Sequence, residues 1–65
     1  MEDYQQRVIE EHKQLDDKLV KLGIFISREA FKVLPEEERD RMLRQQRYMK
    51  RYSEVLAERI AEFKP

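Results

Sequence analysis

The feature that most constrains this chain is a ladder of large, mostly apolar residues at steps of three and four. Tyr4, Val8, His12, Leu15, Leu19, Leu22 and Ile26 follow one another at 4, 4, 3, 4, 3 and 4 residues. An α-helix turns once in about 3.6 residues, so this spacing draws one stripe along one helical face. Ile9 and Val20 widen the stripe on one flank. The spacing predicts a helix from Glu2 to about Ile26, with Glu2 and Asp3 placed to offset the positive helix start. Gly23 sits inside the ladder between Leu22 and Ile24. It reads either as a left-handed stop or, preferably given its apolar neighbours, as an interior residue where another backbone comes close.

A second ladder follows. Met42, Met49, Tyr52, Leu56, Ile60 and Phe63 step by 7, 3, 4, 4 and 3, with Leu43, Val55 and Arg59 beside them. It predicts a helix from about Pro35 to Phe63. Proline drives the residue before it, Leu34, out of the helical region and itself suits the first helical position. Glu36, Glu37 and Glu38 then suit the first turn, Lys64 suits the last carbonyls, and Pro65 ends the pattern. Between the ladders, Ser27 is expected to cap a short helix over Arg28 to Val33, with Ala30, Phe31, Val33 and Leu34 on its apolar side. One Gly and two Pro in 65 residues leave few other breaks. The expected fold is all-α: an antiparallel helical hairpin of two long helices with a short connecting helix, one domain over residues 1–65.

Such a hairpin cannot cover both of its stripes. A chain this short buries only about 60% of the surface that it exposes when unfolded. It has no Cys and one His, so neither a disulfide nor a zinc site of Cys or clustered His can staple it. Assembly with copies of itself, as a homo-oligomer, is the remaining route to a sufficient core. Charged residues make up 43% of the chain, a value that by itself fits disorder, but the 40% apolar content is spaced too regularly for that. No apolar run reaches the length of a membrane span, and the start, MEDY, lacks the apolar core of a signal peptide. A soluble, cytoplasmic protein without membrane contact is expected.

The chemistry-bearing stretch is Arg39 to Tyr52. It holds Arg39, Arg41, Arg44, Arg47, Lys50 and Arg51 against one acid, Asp40, within a chain of 14 basic and 14 acidic residues. Positive charge is therefore concentrated here, not in excess. Arg44, Arg47 and Arg51 share a helical face, and Tyr48 and Tyr52 lie four apart in the same stretch. Guanidinium forks for phosphate oxygens with rings nearby for stacking suit a small anionic nucleotide; the plain alternative is a solvated helix face. Catalytic patterns are missing. Ser27 and Ser53 have only His12 as a base, and nothing in the spacing ties them to it. His12 sits on the apolar stripe, where an interface histidine is expected. Glycine-rich phosphate loops are lacking, and neither an enzyme nor a cofactor is expected. Met42 and Met49 read as packing. Tyr4 reads as the end of the stripe or as a stacking ring near Arg7, and Lys18 and Lys21 as stems lying over apolar surface.

Several segments together resemble a family of very small bacteriophage proteins. They are Tyr4-Gln5-x-Arg7-Val8, Leu15-x-x-Lys18-Leu19-x-Lys21-Leu22, the run from Phe25-Ile26 to Phe31, Leu34-Pro35, and Met49-x-x-Tyr52-x-x-x-Leu56-x-x-Arg59-Ile60. The family is similar to the helical-hairpin domain of the phage anti-CBASS and anti-Thoeris sponge proteins. That resemblance implies a homo-oligomer, often a hexamer, acting in an infected bacterial host cell. It implies binding, without cleavage, of cyclic di- or trinucleotides or cyclic ADP-ribose isomers between subunits. Tyr4 matches the aromatic of the sponge pattern and Lys18 its lysine, with Lys21 next. Arg41, Arg47 and Arg59 are similar in spacing to the arginines that meet cyclic trinucleotides. The short helix over 27–34 and Pro35 depart from the pattern. The alternative is a small protein–protein interaction or regulatory module with no small-molecule ligand. A long nucleic acid is not the expected partner, because the chain is formally neutral and dedicated binders tend to be basic.

Overall fold

A computed structural model describes residues 3–63. Helix α1 spans Asp3–Ile26, α2 spans Glu29–Lys32 and α3 spans Glu36–Ala61. The long helices α1 and α3 pack side by side, with α2 at the bend, in a rod 49 × 15 × 14 Å across. The expected hairpin and its three helices are therefore present. Three contacts fix an antiparallel register: the ring of Tyr4 meets that of Phe63, Asp16 bonds Ser53, and Gly23 faces Gln46.

The two ladders meet along a narrow seam. Val8 and Leu15 from α1 close on Leu56 from α3, and Met49, Ile60 and Phe63 pack against this cluster. Leu56 is fully buried, at 0% exposure. Tyr52, expected on the core stripe, is instead 45% exposed, because it lies to one side of the line through Met49, Leu56 and Ile60. Val20, expected to widen the α1 stripe, is likewise exposed, as are Ile24 and Leu43. At the bend a second small cluster forms, where Phe31 is buried and its ring meets Phe25 edge-on at 6.4 Å.

Boundaries differ from expectation in two places. Ser27 does not cap α2. Its hydroxyl donates back to the Ile24 carbonyl at 2.7 Å, closing the end of α1, and Arg28 takes the capping position with extended backbone. A serine hydroxyl reaches carbonyls three residues back as readily as amides ahead, and here the orphan carbonyls of α1 win. Pro35 lies just outside α3: its ψ of 147° is extended, and its carbonyl accepts from the amides of Glu38 and Arg39. The acids Glu36, Glu37 and Glu38 occupy the first turn as expected. The charges expected to act at Glu2 and Lys64, and the stop at Pro65, lie outside the described residues.

Gly23 is interior to α1 and has no positive φ, so no left-handed stop is needed there. A Cβ built on it would meet the Gln46 side-chain nitrogen at 3.7 Å, an ordinary contact. Glycine therefore destabilises this helix without a steric reason. Gly23→Ala should raise unfolding free energy by about 0.5–1 kcal/mol, read as a higher midpoint in urea with an unchanged slope.

Candidate ligand-binding surface

The two long helices leave their chemistry-bearing residues on outer faces. Tyr4, Arg7, Lys18, Lys21, Arg41, Arg44, Arg47 and Arg59 are all exposed. Two open concavities collect some of them. The larger, about 520 Å³, runs along α3 and is lined by Arg41, Arg44, Gln45, Tyr48, Met49 and Tyr52. The smaller, about 440 Å³, lies where the helix ends meet and is lined by Tyr4, Glu58, Arg59, Glu62 and Phe63. Thus Arg41 and Arg44 come together with two tyrosines, and Tyr4 comes together with Arg59. Arg7, Lys18, Lys21 and Arg47 line neither concavity.

The larger concavity is built on one helix. Steps of three and four put its guanidinium groups and rings on one flank of α3, beside the seam with α1. Arg41 is already engaged, its guanidinium meeting Glu38 at 2.9 Å. Among the described residues, Arg44, Arg47, Arg51 and Arg59 make no ion pair. Their guanidinium groups are free to meet an anion. Tyr48 holds its ring out, 62% exposed.

In the smaller concavity Tyr4 is 51% exposed and is steadied by Phe63, ring centres 5.8 Å apart and nearly perpendicular. Edge-to-face contact fixes the ring plane while leaving one face open for stacking. Tyr4 thus ends the core stripe and leaves its ring half exposed, beside Arg59 and not Arg7. Lys18 is 14 residues further along the same helix, about 21 Å away at ~1.5 Å per residue. One small ligand meets Tyr4 and Lys18 together only if the two come from different copies.

A third constellation escapes sequence reading. Ser53 donates its hydroxyl proton to Asp16 at 2.6 Å, and His12 Nε2 lies 3.2 Å from the same hydroxyl and 3.4 Å from Asp16. Ser53 and His12 are 41 residues apart, and only the antiparallel register joins them. Nothing in the spacing ties this serine to the histidine; the fold does. The order of bonds is that of a clasp, because the serine proton goes to the carboxylate and the ring nitrogen meets the oxygen that remains. In hydrolytic triads the histidine receives that proton. Among the described residues, no group of three or more His, Cys, Asp or Glu is placed to hold a metal ion, and no helix is long and apolar enough to cross a membrane.

Fold and surface together define a class, the two-helix hairpin that carries arginines and tyrosines in open concavities on its flanks. Within it, the chain belongs to the Sequestin family, whose pattern matches residues 2–62. The family's name speaks of sequestration, in line with the resemblance to sponge proteins drawn from the sequence. No curated protein and no solved structure matches the chain.

Because the clasp is half-buried and bridges the helices, Ser53→Ala should cost about 0.5–1.5 kcal/mol of stability. Urea unfolding of the variant beside the parent measures it, with Ser27→Ala, at an exposed hydroxyl, as the smaller reference.

Proposed function

We propose that this chain is a sponge: it binds a small, anionic, base-bearing signal of bacterial immunity and withholds it from its effector without cleaving it. The candidate signals are cyclic di- and trinucleotides and cyclic ADP-ribose isomers, met during phage infection in the host cytoplasm. The observation that carries the reading is the ring of Tyr4, steadied by Phe63 and standing beside the unpaired Arg59 at an open concavity. A base stacks on the ring, and a phosphate takes the guanidinium fork. Membership of the Sequestin family supports the same reading.

Sequestration asks for tight binding. A stacked base contributes about 1–3 kcal/mol and a charge-assisted hydrogen bond about 1.5–3 kcal/mol. One of each is far from the roughly −12 kcal/mol of a nanomolar complex. Both concavities are open, so the reading includes a homo-oligomer whose second copy encloses the ligand and doubles its contacts. Lys18, Lys21 and Arg7 then reach a ligand from a neighbouring copy, and Arg41, Arg44 and Arg47 supply further phosphate contacts.

Isothermal titration against a panel of these cyclic nucleotides tests the proposal, with chromatography of the released ligand to show that it is intact. Saturable binding, recovery of unaltered ligand and little competition by long DNA are expected. Absence of heat with every member of the panel would instead favour the interaction module. Tyr4→Ala should weaken binding by roughly ten- to a hundredfold, the loss of one stacked base, and Lys18→Ala by a similar factor. Circular dichroism should show both variants helical.

A further inference from the structure

Along the outer flank of α3 runs a second ladder that the hairpin does not use. It begins at Glu38 and ends at Glu62, the residue that caps α3, with steps of 3, 4, 3, 4, 3, 4 and 3. This is the period of a helix-pairing seam, set about a quarter turn from the seam with α1. Its chemistry reads almost the same in both directions about position 50. Tyr48 mirrors Tyr52, Gln45 mirrors Val55, Arg41 mirrors Arg59, and Glu38 mirrors Glu62.

We propose that this ladder pairs with its own copy, α3 against α3, antiparallel about a two-fold axis near residue 50. A two-fold interface brings the same patch from both sides, so a residue and its mirror must suit each other. The tyrosines do, meeting at the centre. At each end, Arg41 and Glu38 of one copy come level with Arg59 and Glu62 of the other. Crossing the pairs sets Arg41 against Glu62 and Glu38 against Arg59, at both ends of the seam. Neither Arg59 nor Glu62 has an ion-pair partner in its own chain among the described residues.

Surface area supports one further copy. The chain exposes 5411 Å², whereas a compact protein of 8.1 kDa exposes about 4,500 Å². The excess, roughly 900 Å², is close to the ~800 Å² that each partner gives to a standard stable interface. Tyr48, Tyr52 and Val55, the exposed hydrophobic side chains of the ladder, would be covered.

This pairing rests on the homo-oligomer reading above and names the surface involved. It also completes the site. The Tyr4 and Arg59 concavity of one copy then lies beside Arg41 of the other, which adds a second guanidinium and a wall; each guanidinium spends part of its five N–H donors on the glutamate across the seam and keeps the rest for a phosphate. Tyr4, Arg41 and Arg59 converge only in the pair.

Sedimentation of the parent protein and of Arg59→Glu, Glu38→Arg and the double variant tests it. The parent is expected to sediment as a dimer or a multiple of one. Each single change should raise the dissociation constant at least about tenfold, and the double change, which reverses the Glu38–Arg59 pair at both ends of the seam, should restore it. A second measurement uses the absence of native cysteine. Oxidised Gln45→Cys/Val55→Cys should form a covalent dimer and neither single variant should, since the two positions lie about 15 Å apart on one helix. An oligomeric parent indifferent to the charge changes, with no cross-link, overturns the seam and leaves the homo-oligomer reading standing. A monomeric parent at about 100 µM, well above the Kd of a standard-size interface, overturns both.

Discussion

Everything in this protein hangs on the burial of Leu56 against Val8 and Leu15. No other side chain among the described residues reaches full burial, so the hairpin is held by one thin apolar line. A helix of 24 or 26 residues is marginal in water on propensity alone, and packing of its stripe is what holds it. The line is also what turns the remaining faces outward. Tyr4, Arg7, Arg41, Arg44, Arg47, Tyr48, Tyr52 and Arg59 are all exposed, because α3 lays a single face against α1 and α1 packs only on α3 and the short α2.

Thinness has a functional side. A globular domain hides its binding groups in a cleft between elements. A two-helix rod has no interior to spare, and its concavities open to solvent on one side. On the proposed function, affinity for a small ligand comes from copies of the chain, since pre-organised walls are what convert a few contacts into tight binding. The same shortage that leaves the monomer with excess apolar surface leaves its sites half-built. The proposed pairing of copies would relieve both.

Much of the fold was legible because helical period is a local property. The ladders at Tyr4 to Ile26 and Met42 to Phe63, and the Leu34-Pro35 break, located the three helices to within a few residues. What was not legible depended on register or on side chains choosing between near-equal partners. Ser27 had amides ahead and carbonyls behind, and composition does not decide between them. Tyr52 and Leu56 are one turn apart and both fit the stripe; only the direction in which α1 approaches makes one buried and the other open. The candidate site was open to listing by residue type from the sequence, but not to grouping. That Tyr4 joins Arg59, while Arg7 and Lys18 stand apart, follows from the antiparallel register and not from spacing.

That register is set by the polar clasp more than by the apolar seam. Both ladders repeat every three or four residues, so a slide of α3 along α1 by two turns would still match apolar to apolar. It would, however, carry Ser53 away from Asp16 and His12 and leave a half-buried carboxylate and imidazole without the hydroxyl that joins them. Buried polar pairs commonly fix register at some expense in stability. Here the consequence reaches the candidate binding surface, because the same register places Phe63 against Tyr4 and Arg59 beside it. The aromatic platform at the rod's end is thus specified by a hydrogen bond in the rod's middle, about 18 Å away at ~1.5 Å per residue. A hairpin with a purely apolar seam would be free to slip, and a slipped hairpin would present Tyr4 to water with nothing to hold its ring.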